Sequence, residues 1–156
     1  IVAMDAAATL HLDQQLCFAL YATSRAMTQA YAPVLAPLGV TYPQYLVLLA
    51  LWQEDGVAVK QLGARLHLDS GTLTPLLKRL SALGLVTRQR DAADERVVRI
   101  HLTAAGRGLK RRAAAVPREM LCRIDLTLPE LGRLRRQLTD LGDRLRGATT
   151  DQETAP

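Results

Sequence analysis

Leucines recur at three- and four-residue steps near the middle of the chain, a spacing typical of the buried stripe of an α-helix. The stripe contains Leu73, Leu76, Leu77, Leu80 and Leu83. Asp69, Ser70 or Thr72 can each cap the start of this helix. Because proline fits a helix comfortably only in the first turn, Pro75 favours a start near Thr72. Gly84 predicts where the helix ends.

The outward face of this helix carries hydroxyls and cations and no acidic side chain. Cations bind phosphates, and short polar side chains can reach base edges in the major groove. We therefore predict a DNA-reading helix, whose candidate contacts are Ser70, Thr72, Thr74, Lys78 and Arg79.

The flanking segments complete a winged helix. A short helix precedes the reading helix and carries Val59, Leu62, Leu66 and Leu68, and two short helices joined by a polar turn form a helix-turn-helix. Residues 85–90 and 97–102 predict two strands, with residues 91–96 as a polar hairpin tip. The wing can reach a minor groove, where arginine fits the negative potential. Its candidate residues include Arg88, Arg90 and Arg96.

Two further helices are predicted before this region. The first begins at Asp13 and continues until Pro33, Pro37 and Gly39 interrupt it. The second follows the turn at residues 40–43, is apolar on almost every side, and ends in the acidic turn at residues 54–56. Residues 1–12 show no strong pattern and are expected to be loose.

A leucine seam near the C-terminus predicts a dimer. One long helix is expected over residues 103–124, and Thr127 and Glu130 then form a capping box. The following helix carries Leu131, Leu134, Leu138, Leu141 and Leu145 on one side. Because the preceding helix is Arg-rich and offers little apolar cover, the seam favours a second chain as its partner. Packing within the same subunit is the alternative, and residues 148–156 are expected to form a disordered tail.

Composition agrees with one mainly α-helical domain with a small β-hairpin and N- and C-terminal dimerisation helices. The 156 residues are 49% hydrophobic and only 4% aromatic, so leucine and alanine fill the core. Residues 40–102 form the predicted DNA-binding part, and residues 13–39 and 103–147 form the dimerisation part. Residues 1–56 carry a net charge of −3 and the remainder +8. This asymmetry favours a polyanion partner, although an Arg-rich surface without one is the alternative.

The composition of the sequence also excludes several classes of protein. No stretch approaches a membrane span, and the N-terminus lacks a secretion pattern, so the chain is expected in the cytoplasm without a membrane partner. Two cysteines, Cys17 and Cys122, are too few for a structural zinc site or a disulfide scaffold. We predict no metal or other cofactor, and thiols in a reducing cytosol.

One face of the first helix carries the candidate chemistry. It contains Cys17, Tyr21, Ser24, Thr28 and Tyr31. Phenol hydroxyls that donate to a thiolate favour the charged form and raise its reactivity toward peroxide. Tyr31 lies about 21 Å along the axis from Cys17, so only an antiparallel second subunit could bring it near the thiol. An inert buried cysteine among core tyrosines is the alternative.

The wing and the segment after it resemble those of the MarR transcriptional regulators. Residues 91–96 are similar to that family's D-x-R wing, and residues 102–106 are similar to its L-T-x-x-G junction. The resemblance implies a homodimer that reads a palindromic operator in double-stranded DNA. It also implies that Arg96 enters the minor groove and that Asp94 braces it.

Residues 12–21, 38–45 and 68–80, together with Tyr31, resemble the organic-hydroperoxide-sensing (OhrR) branch. The resemblance implies that Cys17 senses organic hydroperoxide and that Tyr21, Tyr31 and Tyr42 surround it across the dimer interface. Cys122 stands where two-cysteine members carry a resolving thiol. Oxidation of Cys17, followed by a disulfide with the partner subunit's Cys122, would then release operator DNA.

Two other functions stay open from the sequence. A MarR-type repressor can instead be controlled by a non-covalent phenolic or other small ligand, with the cysteines incidental. A thiol peroxidase that uses Cys17 would leave the DNA-binding features unexplained, so we predict a regulator and not an enzyme.

Overall fold

The computed structural model describes residues 10–153, which divide into two compact units that part after Met120. The helices are α1 Leu16–Leu35, α2 Tyr42–Gln53, α3 Val59–Leu66, α4 Ser70–Ala82, α5 Ala104–Ala113, α6 Val116–Ile124 and α7 Leu128–Glu153. The strands are β1 Val57–Ala58, β2 Val86–Arg90 and β3 Val98–Leu102, and Leu12–Gln14 and Ala36–Leu38 form 3-10 turns. This mainly helical architecture with one small sheet confirms the predicted fold class.

α2 and α4 contribute more buried hydrophobic side chains to the core of the first unit than any other element does. Val47, Leu48 and Leu51 of α2 are fully buried, which explains why that helix is apolar on nearly every side. The predicted leucine stripe of α4 is buried at Leu73, Leu76, Leu77 and Leu80. Each fully buried leucine contributes roughly 1.5–3 kcal/mol of hydrophobic stabilisation. Leu83, the last predicted member of the stripe, lies beyond the helix and is half exposed.

The joint between α3 and α4 corrects the predicted start of the reading helix. The Asp69 carboxylate accepts the Thr72 backbone N–H at 2.8 Å, so α4 begins at Ser70 and not near Thr72. The prediction was wrong because the cap at Asp69 outweighs the cost of Pro75 inside the helix. Leu68, predicted within the preceding helix, lies in the turn that follows His67, whose φ is +53°.

The sheet contains one strand that the sequence analysis does not predict. β2 and β3 pair antiparallel from Val86 opposite Leu102 to Arg90 opposite Val98. Each begins one residue later than expected. β1 pairs with the other edge of β3 through Val57 and Ile100. A two-residue strand is too short to show an alternating pattern, so the sequence gives no signal for it.

The segment from β3 into α5 packs directly on the end of α4. The Thr103 hydroxyl donates to the Gly84 carbonyl at 2.6 Å and accepts from the Gly106 N–H at 3.0 Å. A Cβ on Gly106 would lie 2.1 Å from the Leu85 carbonyl oxygen. The threonine and glycine of the junction are therefore required by hydrogen bonding and by close backbone contact.

The long helix expected over residues 103–124 is two helices. The chain turns at Ala114 and Ala115, after which α6 begins with Pro117 in its first turn. A proline there cannot donate to the carbonyl four residues earlier, and its ring would clash with that carbonyl in a continuous helix. The predicted single helix was wrong for this reason.

α7 makes up most of the second unit and begins with the predicted capping box. The Thr127 N–H donates to the Glu130 carboxylate at 2.9 Å, and the Glu130 N–H donates to the Thr127 hydroxyl at 3.4 Å. Leu131 and Leu141 are half-buried, whereas Leu134 and Leu138 are exposed. The helix continues through Glu153, so residues 148–153 of the tail expected to be disordered are helical.

Residues 1–9 and 154–156, on which the remaining expectations about the termini fall, lie outside the described residues. Within the described part, no single helix is both long and apolar enough to cross a bilayer. The stretch Leu16–Leu38 and α2 meet the length and composition criteria only as a pair bent by 68°.

Candidate functional site

The buried leucines of α4 turn its polar face outward. Among the predicted DNA contacts on this helix, Ser70, Thr72, Lys78 and Arg79 are exposed and Thr74 is half-buried. The Thr72 N–H donates to the Asp69 carboxylate, and the Thr72 hydroxyl donates to the same carboxylate at 3.2 Å. The backbone hydrogen bond from Thr72 lowers the pKa of Asp69 below its ordinary value. The ionised Asp69 carboxylate thus caps the start of α4. Because the Thr72 hydroxyl donates to it, the lone pairs of that hydroxyl can still accept a hydrogen bond.

The wing presents Arg96 to solvent, where it is paired with Asp94. Its side chain is 91% exposed, and its Nε and Nη2 donate to the Asp94 carboxylate at 3.1 and 3.4 Å. Arg88 and Arg90 are also exposed, and Arg90 donates to the Glu95 carbonyl at 3.4 Å. The structure therefore places Arg90, Asp94 and Arg96 together at the tip, with Asp94 bracing Arg96, whereas Arg88 lies in the middle of β2 opposite Ile100.

Asp91 and Arg99 anchor the wing, and neither was predicted as a site residue from the sequence. The Asp91 carboxylate accepts from the Arg99 Nε and from the Ala93 and Asp94 N–H groups at 2.8 and 3.3 Å. Arg99 also donates to the Gly56 carbonyl at 3.1 Å, which ties the tip to the turn before β1. An aspartate at the first position of a hairpin tip is a turn signal that could have identified Asp91.

A basic groove of about 670 Å³ lies between α3, the start of α4 and the wing. Four of its thirteen lining residues are cationic, namely Lys60, Arg88, Arg96 and Arg99, and the apolar lining includes Leu68, Leu73 and Val98. Positive charge along a groove beside an exposed polar helix is suited to a phosphate backbone.

The carboxylates of the wing make its order dependent on pH. The side-chain hydrogen bond from Arg99 lowers the pKa of Asp91, and that from Arg96 lowers the pKa of Asp94, both from an ordinary 3.8. Because these pKa values are lower in the folded state, the ionised carboxylates stabilise the wing above pH 3.8. This stabilisation is lost as the pH falls through the folded-state pKa values and the carboxylates become protonated. We expect the amide NMR signals of Ala93 and Arg96 to be steady from pH 7 to 5 and to shift toward random-coil positions below about pH 3.8.

An Asp91→Asn variant provides the control for this titration. It removes the charge that Arg99 contacts, so we expect its Ala93 amide signal to be displaced already at pH 7. Wild-type signals that stay fixed down to pH 2 would contradict the assigned role of the two carboxylates.

Both cysteines of the chain are exposed free thiols. Cys17 lies in the first turn of α1, and Tyr21 follows it by four residues on the same face. Tyr21 is 59% exposed and has the Arg25 guanidinium 5.5 Å from its ring centroid. Cys122 lies on α6 in the second unit. The expectation that Cys17 could be an inert core thiol does not fit its exposure.

Tyr31 and Tyr42 form an aromatic cluster away from the Cys17 end of α1. Their ring centroids lie 4.7 Å apart, and Tyr45, which the sequence analysis did not select, lies 5.9 Å from Tyr31. Burial raises the pKa of all three phenols above 10.0, and charge on neighbouring tyrosines adds to the shift of Tyr31 and Tyr45. At neutral pH these hydroxyls are protonated and can donate hydrogen bonds. The i, i+3 spacing of Tyr42 and Tyr45 could have identified the third member.

Within one chain the cluster and the thiol are separated. Cys17 and Tyr31 belong to the same helix, and fourteen residues of α-helix span about 21 Å. The structure therefore does not bring all predicted thiol-pocket residues together in one chain. In the described part of the chain, no group of three or more His, Cys, Asp or Glu side chains could hold a metal ion.

Comparisons with known proteins relate the chain to DNA-binding regulators. A family model of the transcriptional regulators SarA/Rot matches residues 29–113. The HTH-type transcriptional regulator TtmR of Methylorubrum extorquens is 53% identical over 134 residues, 86% of this chain and 69% of that protein. The organic hydroperoxide resistance transcriptional regulator of Bacillus subtilis is 53% identical over 112 residues, 72% of this chain and 76% of that protein.

A solved structure shows the same fold. Reduced AbfR bound to DNA superposes with a TM-score of 0.76 at 35% identity, covering 88% of this chain and 94% of AbfR. AbfR, from Staphylococcus epidermidis, is also known in a disulfide form, which superposes with a TM-score of 0.60 at 38% identity over 83% of this chain and 91% of AbfR.

Proposed function

This chain belongs to the winged-helix transcriptional regulators of the MarR and OhrR type, and from that premise we propose that it is a peroxide-responsive repressor of operator DNA. The DNA would be a palindromic duplex bound by a homodimer. A regulator acts in the compartment that holds DNA, so the cytoplasmic location expected from the sequence is part of this proposal.

The main support for DNA binding is that the chain has both an exposed basic wing tip and an exposed polar face on α4. Arg96 is paired with Asp94 at the wing tip, while Ser70, Thr72 and Lys78 are exposed on α4, and Ser70 also lines the basic groove. An α-helix fits the major groove, and an extended arginine fits the narrower minor groove beside it. The DNA-bound AbfR structure, at 35% identity, supports this use of the surface.

The homodimer is supported by the apolar side chains that a single chain leaves exposed. On α1, Leu16 is 63% exposed and Phe18 is exposed, and on α7 both Leu134 and Leu138 are exposed. Leucine and phenylalanine at this exposure favour burial against another chain. A second copy with an antiparallel α1 would also carry the partner's Tyr31 and the partner's Tyr42 toward Cys17.

The proposed redox step uses one organic hydroperoxide for each disulfide. The Cys17 thiolate attacks a peroxide oxygen, the O–O bond breaks, and the products are a sulfenic acid and an alcohol. The thiolate of the partner subunit's Cys122 then attacks the sulfenic sulfur, so an S–S bond forms as the S–O bond breaks and water leaves. The protonated phenols of the partner's Tyr31 and the partner's Tyr42 can donate to the thiolate and to the departing oxygen.

Non-reducing electrophoresis after treatment with cumene hydroperoxide tests this step. We expect wild-type protein to shift to the mass of a covalent dimer, because the chain has only two cysteines and both are exposed. Cys17→Ser and Cys122→Ser should each remove the band, and dithiothreitol should reverse it. A Cys17→Ser variant that still forms the covalent dimer would assign the sensing thiol to Cys122 instead.

DNA release is measured on a duplex selected from a random-sequence pool by the reduced protein. We expect a palindromic sequence to be enriched, and the oxidised wild type to bind it at least about 100-fold more weakly than the reduced form, as conformational coupling of about 3 kcal/mol allows. Failure to enrich any duplex would overturn DNA binding. Unchanged affinity after disulfide formation would overturn redox control and favour control by a non-covalent ligand.

A further inference from the structure

An aromatic stripe extends along α2 from the tyrosine cluster to the far end of the helix. Tyr45 lies in the first turn and Trp52 in the last, seven residues apart and therefore on the same face. Their ring centroids are 6.3 Å apart with an angle of 68° between the planes. From Tyr42 to Trp52 the stripe covers about 15 Å at 1.5 Å per residue. The face that touches Tyr31 at one end thus reaches α5 at the other.

Trp52 is attached to α5 through both its side chain and its backbone. Its indole Nε1 donates to the Gly106 carbonyl at 2.9 Å, and its own carbonyl accepts from the Lys110 Nζ at 3.3 Å. The indole is half-buried, and its N–H donates to a residue 54 positions away. A movement of the end of α2 must therefore move Gly106 or break these bonds.

Gly106 has no space to move independently of the end of α4. Its α-carbon lies so close to the Leu85 carbonyl that even a methyl group could not be placed between them. The Leu85 carbonyl also accepts the Thr103 N–H at 3.0 Å, and the Leu85 N–H donates back into α4 at the Leu80 carbonyl, 3.1 Å away. Close-packed groups without voids transmit displacements and do not absorb them.

We propose that Trp52 is a positioning residue that couples the Tyr31–Tyr42 cluster to the C-terminal end of the DNA-reading helix. The inference rests on the proposed function, because a change at the cluster is taken to follow oxidation of Cys17. Displacement of Tyr31 or Tyr42 shifts Tyr45 and Trp52 along α2, and the indole hydrogen bond carries the shift to Gly106 and Leu85. Trp52 contacts neither the thiol nor DNA in this scheme.

Trp52→Phe tests the inference with the smallest change. Phenylalanine keeps an aromatic ring against Tyr45 but cannot donate to the Gly106 carbonyl. We expect the variant to bind the selected duplex in the reduced state within about threefold of wild type and to form the intersubunit disulfide normally. Its loss of affinity on oxidation should be at least about fivefold smaller than that of wild type, the lower end of typical coupling.

Tyr45→Phe is the matched control, because it retains the ring contacts of the stripe and removes only a hydroxyl. We expect it to release DNA as wild type does. If Trp52→Phe releases DNA with the wild-type ratio, the coupling role is wrong while the proposed function stands. If the oxidised wild type itself keeps its DNA, the proposed function fails and the inference fails with it.

A measurement on unaltered protein keeps the inference testable if Trp52→Phe folds poorly. Trp52 is the sole tryptophan of the sequence, so all tryptophan fluorescence reports on this position. We expect its emission to shift when the wild type is oxidised with cumene hydroperoxide and to stay constant in Cys17→Ser. An emission spectrum that is identical before and after disulfide formation would overturn the proposed coupling.

Discussion

Replacing Arg96 with alanine is expected to weaken binding to the selected duplex by between about 30-fold and about 10⁴-fold, with little change in thermal stability. A good arginine contact in a groove contributes about 1–3 kcal/mol, and a dimer loses two of them. Stability should hardly change because the Arg96–Asp94 pair is on the surface, where ion pairs contribute at most about 1 kcal/mol. Fluorescence anisotropy of labelled DNA and circular dichroism melting give the two quantities.

Two further variants distinguish the loss of the Arg96 groove contact from the loss of one positive charge. Arg118→Ala removes the same charge from an exposed position on α6, outside the reading helix and the wing, and should weaken binding by less than about tenfold. Arg96→Lys retains the charge and loses the planar fork, so we expect an intermediate affinity. Equal losses in Arg96→Ala and Arg118→Ala would show that only net charge matters and would remove the wing from the interface.

Replacing Gly106 with alanine is expected to destabilise the protein by about 2–4 kcal/mol. The new methyl group would lie 2.1 Å from the Leu85 carbonyl oxygen. That carbonyl cannot simply turn away, because it accepts the Thr103 N–H at 3.0 Å. The backbone of α5 or of the α4 end must therefore shift. In a circular dichroism melt we expect the midpoint to fall on the order of 10 °C.

Gly108→Ala is the matched control in the same helix. A Cβ at Gly108 has no neighbour within 4 Å, so it meets open space. Alanine is favoured over glycine in a helix by roughly 0.5–1 kcal/mol, and we expect a small rise in the melting midpoint. A Gly106→Ala variant that melts with or above Gly108→Ala would contradict the close contact between α5 and Leu85.

Periodicity predicts the elements that have one buried face. The leucines of α4 and the alternate residues Ile100 and Leu102 of β3 reflect burial that repeats along the element, so the positions of these two elements are predicted to within two residues. The break at Ala114 and Ala115 depends instead on how Pro117 alters backbone hydrogen bonding. β1 depends on pairing with Ile100, 43 residues from Val57. A local pattern contains no information about such a partner.

The candidate site likewise contains some residues whose position follows from local spacing and others whose position depends on tertiary structure. Exposure of Lys78 and Arg79 follows from the leucine stripe, because side chains between buried positions must face solvent. The anchor between Asp91 and Arg99 depends on strand register, which spacing alone did not reveal. Proximity of Tyr31 and Tyr42 was implied only by resemblance to a known family. Their contact requires the turn between α1 and α2, whose angle is set by tertiary packing.

The apolar side chains that α1 leaves exposed affect how the regulator behaves at low abundance. Leu16 and Tyr21 are each more than half exposed in one chain, so the folded state would gain stability from pairing in the proposed homodimer. Mass action then ties that stability to the number of protomers in the cell. A newly synthesised protomer that has not yet dimerised would be the species most susceptible to proteolysis. Scarcity would thus shorten the lifetime of this protein, and abundance would prolong it.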